Sequence, residues 1–357
     1  MDGTALIFCE GAFGGPEGKT ANGLVRFGRR YEILGIIDST HAGRDAGEII
    51  SGATRRVPIF ASIHQAVEGL GRRPDYLVVG FNPGNGRFPP QYRKVISDAL
   101  RMGVSVDSAL RPYLSEDAEF PGLAMQSSAR LRSVGYPKPL SQLRSYTGDL
   151  RNIDATIVAV VGTHSVVGKR TTAVRLAEAL PNYGPKTEMI GTGETSWFQG
   201  VRSCVILDSI VTRYVAGELE GTILDAYRTY RPQVFVLEGQ NSILSAEAPS
   251  GLELLTTARP NAIVMQHAPL RSEYYDGDQF GLDALDRHIR VCELLSGSPV
   301  IAITVNPEGG ELEQYNEAVG AIRSRFGLLV TDVLGDGTDA LAGEISRFLP
   351  QSTVVRA

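Results

Sequence analysis

Between a run of apolar, β-branched residues and an amphipathic stretch, the sequence reads Gly162-Thr163-His164-Ser165-Val166-Val167-Gly168-Lys169. Such a run could hold an anion: glycines let successive backbone N–H groups converge at a helix N-terminus, and a lysine adds a mobile positive charge. The commonest loop of this kind has four residues between its glycines and a hydroxyl directly after the lysine, which ligates magnesium. Here five residues separate the glycines, and Arg170 takes the hydroxyl's place, with Thr171 and Thr172 only afterwards. The displaced hydroxyl weakens the case for magnesium-nucleotide hydrolysis and is compatible with simply gripping a pyrophosphate. A glycine-rich turn without a ligand is the plainer alternative. A second Gly-Lys-Thr, at Gly18-Lys19-Thr20, meets no glycine at either spacing and reads as a different turn.

Three further residues stand where strands of a parallel sheet should end, the edge at which ligands collect. Glu238 follows Val-Phe-Val-Leu and could ligate magnesium through water or take a proton from an attacking amine; otherwise it bonds neighbouring backbone amides. Asp208 follows Cys204-Val-Ile-Leu207 as a strand-end acid or a helix N-cap. His267 ends Ala-Ile-Val-Met-Gln and could act as a base or bind a carboxylate or phosphate, ahead of His41, His64 and His288. His164 lies inside the loop, so its ring should face the ligand or the second domain. Glu194, in Gly191-Thr-Gly-Glu-Thr, reads as a turn residue lining a substrate pocket or as a solvated acid. Cys204 lacks a histidine at fixed spacing or an electropositive setting and reads as core. Asp38 could sit where a ribose-binding acid would, but no Gly-x-Gly-x-x-Gly accompanies it, so capping of a turn is the better reading.

These residues need a scaffold of buried strands and crossover helices, and the apolar pattern supplies one. Leu6–Cys9, Ile33–Asp38, Tyr76–Val79 and Val104–Asp107 read as strands, alternating with helices over Thr20–Phe27, Ile63–Leu70 and Gln91–Met102. This is a Rossmann-like half, assigned to residues 1–113. Residues 114–154, rich in Ser, Arg, Pro and Tyr, read as a linker. From 155 to 357 the pattern is strand (Ile157–Val161), loop, and helix (Lys169–Leu180), with further strands over Val234–Leu237, Ala262–Met265, Val300–Val305 and Leu328–Thr331. The expected fold class is α/β, a Rossmann-like domain followed by a P-loop NTPase-like parallel-sheet domain.

Composition narrows the function classes. At 357 residues and 43% hydrophobic, the chain suits a two-domain globular enzyme. A net charge of −5, without any basic block, argues against nucleic acid as a partner. Three scattered cysteines, Cys9, Cys204 and Cys292, give neither a disulfide framework nor a zinc motif and suit a reducing cytosol. No stretch reads as a signal peptide or membrane helix, so a cytoplasmic protein acting on a small molecule is expected, with homo-oligomerisation open.

The loop's Gly-Thr-x-x-x-Val-Gly-Lys form resembles that of dethiobiotin synthetase. Together with Lys19–Leu24, Ile37–Glu48, Thr192–Thr195 and Leu237-Glu-Gly-Gln-Asn-Ser242, it resembles the domain-of-unknown-function family that includes D-glutamate N-acetyltransferase, over nearly the whole chain. The resemblance implies acetyl transfer from acetyl-CoA to the amino group of a D-glutamate-like amino acid. The cofactor would lie on Gly162, Thr163, His164, Ser165, Gly168, Lys169, Arg170, Thr171 and Thr172, the substrate near Glu194, Gln240, Asn241 and Arg111, and the chemistry on Glu238, His267 and Asp208. The sequence departs from the family's pattern: His164 and Ser165 replace Asp and Cys, Asn241 replaces Gly, and Arg111 stands before Pro112-Tyr-Leu-Ser-Glu-Asp117 where a His is usual. Two other readings stay open. One is an ATP-dependent kinase or ligase, with Thr171 and Asp208 at magnesium; the other is a nucleotide-switched binding protein.

Overall fold

A computed structural model of the chain describes residues 1–246, 249–271 and 282–349. The chain divides into two compact units, Met1–Pro137 with Glu194–Val201, and Lys138–Gly193 with Arg202–Ala357. Each is built on one parallel sheet.

In the first unit the strands are β1 (Gly3–Phe8), β2 (Tyr31–Ile37), β3 (Ile59–Phe60), β4 (Tyr76–Val79), β5 (Ser105–Ser108) and β6 (Leu131–Ser133). Their order is β3-β2-β1-β4-β5-β6, and all pairs are parallel, as in Rossmann sheets. The apolar residues of β1 and β4 are buried on both faces, which is why they read as continuous hydrophobic runs. Asp38, just past β2, caps the turn that follows: it is fully buried and accepts from the Thr40 N–H at 3.0 Å and the Gly11 N–H at 3.1 Å.

The segment expected to be a linker differs from that expectation. Residues 120–133 form the helix Phe120–Ser127 and the edge strand β6, paired with β5. An edge strand of three half-buried residues carries no readable period, so its pairing is visible only in three dimensions. From Lys138 the chain runs along the helix Thr212–Tyr230, where two buried acids fix it. Glu218 accepts from the Arg144 N–H at 2.8 Å and pairs with Lys138, while Glu220 accepts from the Thr147 N–H at 2.6 Å.

The second unit has β7 (Thr156–Gly162), β8 (Thr187–Gly191), β9 (Ser203–Cys204), β10 (Val234–Glu238), β11 (Ala262–His267), β12 (Val300–Val305) and β13 (Leu329–Thr331). They form one sheet in the order β13-β12-β11-β7-β10-β8-β9. Ala159 and Val161 of β7, with Ile263 and Met265 of β11, pack against Leu285, Ile289 and Cys292 of the helix Leu282–Ser296. On the same face, Phe235 and Leu237 of β10 pack against Leu219 and Ile223 of the helix Thr212–Tyr230. These cores fix the register of β11, β7 and β10. Gly162, Glu238 and His267 therefore end three adjacent strands at one edge. No helix among the described residues is long and apolar enough to cross a membrane.

Candidate functional site

The loop from Gly162 to Lys169 leaves the central strand β7 and enters the helix Lys169–Ala179. Gly168 has φ of 119°, left-handed backbone that favours glycine, and an added Cβ there would lie 3.2 Å from Nε2 of Gln266. Val166, at φ 58°, is the strained member. A β-branched residue in that region costs about 1–3 kcal/mol and persists only where its surroundings hold it. Arg271 does the holding: its guanidinium donates to the carbonyl oxygens of Ser165 (3.1 Å) and Val166 (3.2 Å) and pairs with Glu308 at 2.6 Å. With those carbonyls drawn to Arg271, the N–H groups of Ser165, Val166, Val167 and Gly168 donate to no acceptor among the described residues. Successive unmatched amides at a helix N-terminus make an anion-binding nest.

Lys169 is buried and its ammonium donates back to the carbonyl oxygen of His164, which closes the loop. Its stem needs room beside β10, and Gly239 provides it: a Cβ there would lie 3.0 Å from Lys169 Cδ and 2.1 Å from the Val160 carbonyl oxygen. Below the loop, Gln266 of β11 accepts from Thr172 Oγ1 and, at 2.6 Å, from Thr304 Oγ1, and its backbone carbonyl accepts from the Thr163 N–H at 3.0 Å. Thr172 is thereby tied to the sheet, whereas Thr171, half-buried, lies one residue earlier on the helix.

Glu238 ends β10, as the sequence placed it, and is buried. One carboxylate oxygen accepts from the Thr192 N–H at 2.9 Å; the other lies 3.7 Å from Nη1 of Arg170. The residue standing in place of the magnesium-ligating hydroxyl thus faces the acid that would hold a metal's water. Gln240 donates to Thr192 Oγ1 at 2.7 Å, and Asn241 donates to Ser245 Oγ at 3.3 Å, so both line the turn after β10. His267 ends β11 with Nδ1 at 3.1 Å from Thr163 Oγ1. Burial, reinforced by His288 and Arg271, pushes its pKa down from 6.5 to about 3, so the ring is neutral at physiological pH. His164 is buried inside the loop.

Three further expected site residues are not at the ends of the second unit's strands. Asp208 neither ends a strand nor caps a helix: β9 stops at Cys204, and Asp208 is exposed within the single turn Leu207–Ser209. Its charge reaches Glu253, whose pKa is raised mainly by burial and further by Asp208. Glu194 opens the helix Glu194–Gln199 instead of sitting on a flexible turn, and belongs to the first unit. Thr195 and Ser196 behind it are buried, which gives that segment a fixed helical face. Arg111 is also in the first unit, exposed, with Nε 3.3 Å from the Tyr113 hydroxyl. Gln266 and Arg271, which shape the loop, were not singled out in the sequence. The adjacency of Gln266 to the strand-end His267 was the available signal; Arg271 offered none.

Comparison with known proteins agrees with this architecture. The family model described as "Domain of unknown function (DUF1611_C) P-loop domain" matches residues 144–342. The one described as "Domain of unknown function (DUF1611_N) Rossmann-like domain" matches residues 39–137. A protein named D-glutamate N-acetyltransferase from Pseudoalteromonas sp is 25% identical over 274 residues, 75% of this chain and 80% of the relative. Another of that name, from Tritonibacter scottomollicae, is 23% identical over 277 residues, covering 76% and 80%. A solved DUF1611 family protein from Anabaena variabilis superposes with a TM-score of 0.86 at 26% identity, over 97% of this chain and 99% of that one.

Proposed function

The chain belongs to the DUF1611 family, and from that premise we propose that it transfers the acetyl group of acetyl-CoA to the amino group of a small, D-glutamate-like amino acid. The observation that carries the proposal is the pairing of Arg170 with Glu238 beside a loop in which the amides of Ser165, Val166, Val167 and Gly168 have no acceptor among the described residues. A guanidinium already answers the strand-end carboxylate, so the nest and Lys169 suit an anion that arrives without a metal. The residues fit the pyrophosphate of coenzyme A on that ground. The names of the two bacterial relatives supply the reaction class.

In this reading Gly162, Thr163, His164, Ser165, Gly168 and Lys169 grip the cofactor's phosphates, with Arg170, Thr171 and Thr172 at the first helical turn. Glu238 is the group at the sheet edge that can accept a proton from the attacking amine; His267, whose buried ring resists protonation, can orient a ligand through a hydrogen bond, and Gln240 and Asn241 are placed to contact the substrate. Glu194, Arg111 and Asp208 do not lie on the second unit's strand ends, and no step of this reading is placed on them. Acetyl-CoA, when bound, supplies an activated thioester; the protein supplies orientation and backbone N–H groups for the developing oxyanion.

The test is calorimetric titration of metal-free protein with acetyl-CoA and with ATP, each repeated with magnesium. Acetyl-CoA is expected to bind without a metal requirement. Tight magnesium-dependent ATP binding beside no detectable acetyl-CoA binding would overturn the proposal in favour of a kinase or ligase.

A further inference from the structure

The turn after β10 carries a hydroxyl that the proposed function leaves unused. Ser242 follows Asn241, and its Oγ lies 2.9 Å from Nε2 of His288 on the helix Leu282–Ser296. The other ring nitrogen, Nδ1, lies 2.8 Å from the carbonyl oxygen of Ala284, one turn earlier on that helix. A carbonyl can only accept, so Nδ1 carries the ring proton and Nε2 offers its lone pair; the serine hydroxyl is then the donor. Both side chains are buried, at 3% and 2% exposure, which excludes bulk water from the pair.

A turn-capping serine is the plain alternative, and Ser242 does close its turn: Oγ accepts from the Leu244 N–H at 3.2 Å and the carbonyl from the Ser250 N–H at 3.0 Å. Capping uses the oxygen's lone pairs and leaves the hydroxyl proton unaccounted for. That proton goes to a histidine held in one tautomer by a third group, which is the arrangement that activates a serine nucleophile. The pair also lies beside the phosphate loop. Lys169 and His164 are close enough to act on the His288 ring, and burial is the main cause that holds its pKa below the ordinary value. The stem of Lys169 runs along Gly239, three residues before Ser242.

We propose that Ser242 and His288 form a nucleophile–base pair oriented by Ala284, through which the acetyl group passes as an ester on Ser242. The proposal rests on the acetyl-CoA reading for its donor. In the first half-reaction the Ser242 proton moves to His288 Nε2 as Oγ bonds to the thioester carbonyl carbon. The carbon–sulfur bond breaks, and the departing thiolate takes the proton from Nε2, leaving as free thiol. In the second, Glu238 takes one proton from the acceptor's ammonium and passes it to solvent, and the resulting amine attacks the ester carbon and gives a second proton to Nε2. The carbon–oxygen bond breaks, and Oγ recovers that proton, so the enzyme returns to its starting state.

The experiment incubates the full-length protein with acetyl-CoA without acceptor, and separately with p-nitrophenyl acetate as a donor that needs no phosphate site. Acid quench and peptide mass mapping follow. One acetyl group on Ser242 and a burst of thiol equal to the enzyme concentration are expected, both absent in Ser242→Ala and suppressed in His288→Gln. Ser242→Ala should slow transfer by about 100-fold or more, the scale of a lost assisted proton transfer. Ser242→Cys keeps a nucleophile and should be acetylated on sulfur, which separates lost chemistry from lost folding. Full transfer activity in folded Ser242→Ala, or no label on the wild type from either donor, would overturn the proposal. His288-dependent labelling by p-nitrophenyl acetate with none from acetyl-CoA would instead uphold the pair and overturn the cofactor reading.

Discussion

Each unit has a Gly-Lys dipeptide at the start of the helix that follows its central strand, and the two loops dispose of their amides in opposite ways. After β1, most of the amides find acceptors and the unmatched ones are scattered: the Gly11 N–H donates to Asp38, Gly14 to Asn22, Gly15 to Ala12, Gly18 to Gly15 and Lys19 to Pro16. After β7, the carbonyls of Ser165 and Val166 turn to Arg271, and the amides of four consecutive residues meet no acceptor among the described residues. The strand-end acids differ in the same sense. Asp38, just past β2, accepts from Gly11 in the loop after β1; Glu238, at the end of β10, is held on Thr192 and Arg170. The letters Gly-Lys thus say little by themselves. What makes an anion site is a backbone left with donors its own chain does not use, at the cost of strain at Val166.

The largest effect should come from the acid on the open side of this comparison. Glu238→Gln keeps an oxygen for the Thr192 N–H but loses the charge that faces Arg170 and the basicity. Acetyl-CoA should still bind, while turnover falls by about 100-fold or more, the usual contribution of a positioned base. Calorimetry beside steady-state kinetics would check both halves, and wild-type turnover would reduce Glu238 to a structural acid. Lys169→Ala comes next. It removes a buried ammonium from the nest, so affinity for acetyl-CoA should fall about 10- to 100-fold, as expected for about 1.5–3 kcal/mol of charge-assisted hydrogen bonding. Circular dichroism should show an intact fold, and unchanged affinity would sink the phosphate-loop assignment.

Protonation gives a third separation. An unfolded His267 takes up a proton near pH 6.5, whereas the folded ring does so only near 3. Between those values the unfolded state binds more protons, so His267's contribution is full above pH 6.5 and is lost progressively as pH falls toward 3. From pH 7 to 5 the loss is about 2 kcal/mol by this linkage. Denaturant titrations of the second unit's unfolding at both pH values should show a smaller loss in His267→Gln. An identical slope in the variant would mean that the ring is not held neutral by its setting.

The sequence made legible what rests on local pattern. β7, its loop, the helix Lys169–Ala179 and the strand ends at Glu238 and His267 follow from apolar runs bounded by glycine and charge, because strands buried on both faces leave unbroken hydrophobic letters. β3, β6, β8 and β9 escaped. β3, β6 and β9 are only two or three residues long, and β8, Thr187–Gly191, carries a buried Glu188 paired with Arg202 that interrupts its apolar reading. Asp208 was misplaced because Val205 and Leu207 pack into the core without extending a strand. Arg271 grips carbonyls more than 100 residues earlier in the chain, a contact with no local signature.

The smallest effect tests the comparison from its closed side. Lys19 precedes Thr20, whose hydroxyl lies 2.7 Å from that of Thr195 within the first unit, and the amides around it are already bonded to Ala12, Gly15 and Pro16. A phosphate would have to displace those bonds to be held there, and each displaced amide costs about as much as the new contact returns. Lys19 itself is half-buried, and its replacement by alanine removes a charge at the surface of the first unit, an effect within about 0.5 kcal/mol on stability. Lys19→Ala should therefore bind acetyl-CoA with wild-type affinity in the same calorimetric titration that exposes Lys169→Ala. A comparable loss in both variants would show that the self-satisfied loop opens to hold phosphate, and that a static count of unused amides does not distinguish the two loops.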